Sequence, residues 1–211
     1  MRDSDGMVAE LRWKLGLQKF TRDVGLNWLW PKRQTAILSG AEVPNLNPES
    51  MLIVLCMHGA KHVWSRLIWI CDVARLLSNH PDLDWPAVLK ESKTLGLDRT
   101  LALGVLLAHQ VSGIEIPQPV LRHFKSNRTV SELADHIAQN LFHAPGTTPP
   151  CRIPYMLRLL NFRDRLRALF SVQILQPNKR DSAFLRLPQS VRFLYYVVRP
   201  VRILLDRAPR F

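Results

Sequence analysis

Three cysteines in 211 residues, Cys56, Cys71 and Cys151, are odd in number and have no Cys-x-x-Cys spacing. That excludes a zinc ribbon and a disulfide framework, and Cys56 and Cys71 read as reduced thiols inside buried helical patterns. Long apolar runs are also missing. None reaches the roughly 18 to 20 residues that a membrane span needs, and the N-terminus, MRDSDGMVAELRWKL, has no uninterrupted apolar segment of the signal-peptide kind. The expected address is cytoplasmic. There is no glycine-rich phosphate loop, no Ser-His-Asp set, no nucleic-acid reading motif, no internal repeat and no low-complexity run. Carboxylates are scarce beside cations, 17 Asp and Glu against 29 Lys and Arg, for a net charge of +12. From residue 151 onward thirteen Lys or Arg face three Asp, so nearly all of the excess lies there, mostly as arginine. Such a tail could meet phosphate. Arg158 shares its helical face with Asn161, Phe162, Arg165 and Leu166, however, which leaves a mixed stripe and only weak polyanion binding.

What is present is a hydrophobic content of 47%, enough for a core, arranged mainly in helical periods. The richest stretch is NPESMLIVLCMHGAKHVWSRLIWICDVARLL, residues 47 to 77. Asn47 is a good N-cap, Pro48 suits the first helical position and Glu49 the positive helix end. Met51 to Met57 is apolar on every face, which predicts a central core helix. Past Val63 the pattern turns amphipathic, with Trp64, Leu67, Ile68, Cys71 and Arg75 on one side of a second helix and Ile70, Ala74 and Leu77 beside them. Asp72 lies in the middle of that helix, where a carboxylate needs a partner, and is expected to be buried and paired with Lys61 or a histidine.

Upstream, Met7 to Leu15 reads as a short strand carrying Glu10, and Trp28, Trp30 and Pro31 as a loop or short helix. Thr35–Leu38 and Glu42–Leu46 read as a hairpin with a glycine-containing turn. Downstream, Asp84 caps a helix from Trp85 to Leu95 closed by Gly96, and Asp98 caps another that runs to Ser112 and Gly113. Pro117 and Pro119 open a short helix to Lys125, and Thr129 with Glu132 makes a capping box for a helix from Val130 to His143. Residues 144 to 154 hold four prolines and a glycine and form a loop. Tyr155 to Leu175 and Pro188 to Asp206 form basic helices, the second with apolar residues between its arginines that are expected to dock on the protein's own core in preference to a membrane surface. The fold class is thus mainly α: a helical bundle with a small N-terminal β remnant of strand plus hairpin. Residues 1–46 form the β-containing end, and 47–211 a helical domain divided into core helices 47–143, loop 144–154 and basic C-terminal helices 155–211.

The chemistry gathers at the end of the first core helix. His58 and His62 stand four apart, a metal-ligand spacing, but Gly59 occupies the place where the zinc-protease pattern has glutamate. Core hydrogen bonding, substrate contact and metal ligation all remain open for the pair. Lys61 beside them could hold a phosphate as a point charge at the rim of an apolar site.

Three segments, VAELRWKL, the 47–77 stretch and HPDLDWPAVLKESKTLGLDRTLALGVLLA, resemble the downstream part of the family of uncharacterised nucleotidyltransferases, in the polymerase-β-like superfamily. HGAKHVWSRLIWICDVARLL carries the most specific part of the likeness, which covers residues 8 to 113 and weakens beyond. The resemblance implies transfer of a nucleotidyl group from a nucleoside triphosphate to an unknown acceptor. In the superfamily a Gly-Ser turn and an Asp-x-Asp pair on one strand, with a third carboxylate on a neighbouring strand, bind the divalent ions, Mg²⁺ for example, that stabilise attacking and leaving oxygens. Glu10, between Ala9 and Leu11, takes the place of the third carboxylate, as a catalytic and metal-binding residue. Arg12 stands where the family has His before Trp13. Asp3 and Asp5 have the Asp-x-Asp spacing but no preceding Gly-Ser turn, and they lie too close to Glu10 for separate strands. The chain is therefore expected to be a truncated member that by itself is catalytically incomplete and binds no cofactor. The rival expectation is a non-enzymatic helical module that binds nucleic acid or a protein partner.

Overall fold

The computed structural model describes residues 26–141 together with Tyr155, Arg158 and Leu159. Two short 3₁₀ turns, Leu26–Trp28 and Trp30–Lys32, lead into strands β1 (Arg33–Leu38) and β2 (Ala41–Leu46). The strands pair antiparallel, with Leu38 opposite Ala41 and Arg33 opposite Leu46. Ser39 and Gly40 form the two-residue connection, both at positive φ (51° and 83°), as a type I′ turn requires. The expected hairpin is present, each strand one or two residues longer at its outset. The expected strand with Glu10, and the elements from residue 142 on, lie outside the described residues apart from those three.

Among the described residues up to 141, six helices follow: α1 (Pro48–Lys61), α2 (Leu67–Asn79), α3 (Trp85–Leu95), α4 (Asp98–Ser112), α5 (Gln118–Lys125) and α6 (Arg128–Asn140). The chain is mainly α, as its periodicity predicts. Asn47 caps α1 by accepting the Ser50 N–H at 3.2 Å, with Pro48 at the first helical position. Asp84 caps α3 by accepting from Ala87 at 3.0 Å. α3 and α4 end at left-handed glycines, Gly96 and Gly113. Two expected caps are corrected. Asp98 is the first residue of α4, behind Leu97, where its charge favours the helix dipole without capping it. α6 is capped by Asn127, whose side chain accepts from Val130 at 3.4 Å, while Glu132 pairs with Arg128 one turn back. In both cases a cap-type side chain stands within two residues of the position that geometry selects.

No residue from Leu46 to Trp64 is exposed, so α1 is a core helix. α4 lies deeper still: Thr100 to Ala108 is buried without a break, and α1, α2 and α6 pack around it. Trp85 meets Phe124 edge-to-face at 6.3 Å between α3 and α5, and Gln110 donates to Asp135 at 2.7 Å between α4 and α6. Tyr155 and Leu159, four apart and helical, are buried in the same core, and Arg99 donates to the Arg158 carbonyl at 3.1 Å. The hairpin end is tied down by Lys32, which pairs with Glu91 of α3 and lies 5.5 Å from the centre of the Trp28 ring. Among the described residues no helix is long and apolar enough to cross a membrane.

Candidate functional site

The corner between α1 and α2 is built around a tight turn. Trp64 donates its N–H to the Gly59 carbonyl at 2.9 Å and Val63 to the Ala60 carbonyl at 3.0 Å, the paired bonds of a Schellman motif. Val63 therefore stands where glycine is usual, at φ 58°, followed by Trp64 at φ 50°. Left-handed backbone at a β-branched residue is unfavourable, by roughly 1–3 kcal/mol per strained residue. It persists because the Trp64 indole, fully buried, fills a slot between two helices. A Cβ on Gly59 would overlap ring atoms of Trp64, and one on Gly104 of α4 would stand 3.1 Å from both Cys56 Cβ and Trp64 Cη2. The sequence pattern places Trp64 on the side of the second helix. Instead it precedes α2 and plugs the core.

The turn folds the start of α2 back against the end of α1. His62 stacks on Trp69, ring centres 4.8 Å apart and planes 23° from parallel. His58 meets Trp69 edge-on at 5.9 Å and His62 at 4.8 Å. Arg66 places its guanidinium 5.9 Å from the Trp69 ring centre. His58, His62, Lys61 and Trp69 are half-buried, and Arg66 is exposed. Two imidazoles, one indole and one guanidinium thus form a continuous basic and aromatic cluster, with Lys61 in the same helical turn. Arg66 and Trp69 are the members that helical spacing does not reveal, since the turn breaks the period between them and His62.

Asp72 does not join this cluster. It is exposed on α2, and no hydrogen bond or ion pair joins it to another described residue, which overturns the expected buried pair. Cys71 is exposed as well, and so are Leu67 and Ile68, at 42% and 55%. The buried stripe of α2 is Ile70, Val73, Ala74 and Leu77, so the other flank of the helix, with Asp72 on it, faces outward. Asp72→Ala should change the unfolding free energy by no more than about 0.5 kcal/mol, the range of surface substitutions. A loss of several kcal/mol in urea denaturation would restore the buried partner.

Among the described residues no three His, Cys, Asp or Glu side chains converge as a metal site. His58 and His62 are brought together, their ring centres 4.8 Å apart, and no third ligand from the described residues joins them there. The Asp-x-Asp spacing recurs at Asp82 and Asp84, but in the turn before α3, where Asp84 serves as the cap. Glu10 lies outside the described residues. Cys56 is buried, and burial pushes its thiol far above the ordinary value. Burial likewise raises the Tyr155 phenol well above its ordinary value, offset in part by a hydrogen bond with the Trp64 side chain. That bond is poorly aligned: the Trp64 Nε1 and the Tyr155 hydroxyl meet no partner of full hydrogen-bond geometry.

Fold and cluster together define a mainly α protein that carries a basic, aromatic face at a helix corner. Its family is known more particularly. The family model described as uncharacterised nucleotidyltransferase matches residues 1–113, more than half of the chain, and the protein belongs to that family. No curated protein and no solved structure matches it.

Proposed function

We propose that this protein serves nucleotidyl transfer from a nucleoside triphosphate to an acceptor, and that Lys61, His58 and His62 contact the triphosphate. The observation that supports this reading is the gathering of one ammonium and two imidazoles, half-buried, at the end of α1, inside the stretch that the family model matches. A half-buried ammonium interacts with phosphate oxygens more strongly than a fully solvated one, because less water screens it. The imidazoles can donate N–H groups to the same oxygens. Mg²⁺ belongs to this reading only through carboxylates outside the described residues, Glu10 first among them. Glu10 is one carboxylate where the superfamily uses three, and the 211 residues contain no Gly-Ser turn followed by an Asp-x-Asp pair. We therefore propose that the chain is catalytically incomplete by itself and binds nucleotide without turning it over.

Incubating the purified chain with labelled nucleoside triphosphates and Mg²⁺ or Mn²⁺ tests both halves. Negligible transfer is expected, with nucleotide binding that Lys61→Ala weakens. Metal-dependent transfer abolished by Glu10→Ala would refute the incompleteness and keep the activity; no nucleotide binding at all would remove the reading.

A further inference from the structure

We infer that the phosphate-binding face continues from α1 onto α2, with Arg66 as a second triphosphate-contacting cation and Trp69 as the positioning residue for His58 and His62. This rests on the nucleotidyl-transfer reading above and adds two residues that the reading does not contain.

Charge comes first. Between Glu49 and Asp72 the chain has no carboxylate, yet it carries Lys61 and Arg66 together with His58 and His62. Arg66 forms no ion pair with a described carboxylate. Its guanidinium lies instead near the Trp69 ring, an arrangement that restrains the side chain while leaving N–H donors for a planar, two-pronged anion contact. A phosphate group offers that fork its match.

Trp69 supplies order. One indole is in contact with three of the cluster's groups: His62 lies flat on it, His58 meets its edge and Arg66 approaches the ring. Side chains fixed before a ligand arrives lose less conformational freedom on binding. The strained pair Val63 and Trp64 fits the same role. Backbone in a sparsely populated region persists where the surroundings hold it there, and such places cluster at ligand sites. Here the strained turn is what brings Arg66 and Trp69 back to His62. The ligand class is a polyphosphate, as the tail of a nucleoside triphosphate.

The experiment titrates the full-length chain, by calorimetry, with inorganic tripolyphosphate and with ATP plus Mg²⁺. Arg66→Ala is expected to weaken binding of both about 10- to 100-fold, the range of a lost charge-assisted hydrogen bond, with partial recovery in Arg66→Lys. Trp69→Phe keeps a ring to stack on and should stay near wild type. Trp69→Leu should weaken binding and remove the indole ring-current shift from the imidazole proton signals of His58 and His62. Melting temperatures separate these effects from unfolding, since Arg66 is exposed. Binding lost in Lys61→Ala but unchanged in Arg66→Ala, or imidazole signals unmoved in Trp69→Leu, would overturn this inference and leave the proposed function standing. A wild-type chain that binds neither probe would overturn both.

Discussion

Trp64→Ala is expected to destabilise the protein by about 3–5 kcal/mol, the cost of truncating a buried tryptophan and leaving a cavity. Total stabilities run to about 5–15 kcal/mol, so this one change would consume a large share. Gly59→Ala approaches the same contact from the other side and sets two effects in opposition. Alanine is the better helix former by up to about 1 kcal/mol. Against that, its methyl group would overlap the Trp64 ring, which is buried between α1 and α4 and has nowhere to retreat. Overpacking of this kind costs about 1–3 kcal/mol or more, so the clash should win and the variant should be less stable. Urea denaturation followed by circular dichroism reads both changes as lower midpoints at unchanged slope. A Gly59→Ala variant as stable as wild type would mean that Trp64 is not held in this slot.

The second large effect is alkaline. Cys56 and Tyr155 are acids whose charged forms burial disfavours, so each has a higher pKa folded than unfolded. Below pH 9.0, the ordinary thiol value, both states hold the proton and the stability is unaffected. As pH rises past it, the unfolded chain gives up its thiol proton while the folded chain keeps it, and stability falls by about 1.4 kcal/mol per pH unit. Between pH 9 and pH 11 Cys56 alone should remove about 2 kcal/mol, and Tyr155 adds its own loss above its ordinary value of 10.0. Cys56→Ala lowers stability throughout through the lost packing, but its curve should be flatter over this range. Parallel curves for wild type and variant from pH 8 to 11 would show that the thiol ionises freely in the folded protein.

The core helices were readable because each carries its own local signals. Asn47-Pro48, Asp84 with Gly96, and Gly113 act within one turn of the chain, and the alternating strands around Ser39-Gly40 need only each other. Long-range choices were less visible. Met51 to Met57 and Leu101 to Ala108 are comparable apolar runs, and nothing in either says that the second lies deeper; that follows from α1, α2 and α6 all packing on α4. The corner after α1 departs from its sequence pattern for a definite reason. A Schellman turn announces itself by glycine, and this one has Val63 there, so the apolar pattern alone runs the helical period through Trp64. The unbroken period predicts Asp72 and Cys71 facing inward, and the turn rotates α2 so that both face outward. Of the cluster, the part on α1 could be read from spacing, whereas Arg66 and Trp69 join it only through the turn.

The hairpin register decides how this small sheet can grow. The pair that closes a two-residue turn, Leu38 with Ala41, is a hydrogen-bonded one, so every second pair, Thr35 with Pro44 and Arg33 with Leu46 among them, points its backbone groups away from the partner strand. On the outer side of β2 the three residues concerned are Glu42, Pro44 and Leu46. Pro44 has no N–H to offer, and that of Leu46 is already taken by the Asn45 side chain at 2.9 Å. Only Glu42 could donate, and its charge discourages a neighbour. β1 keeps outward N–H groups at Arg33, Thr35 and Ile37, so any further strand, from this chain or another, can be templated on the β1 side alone, and uncontrolled edge-to-edge stacking through β2 is blocked at its centre.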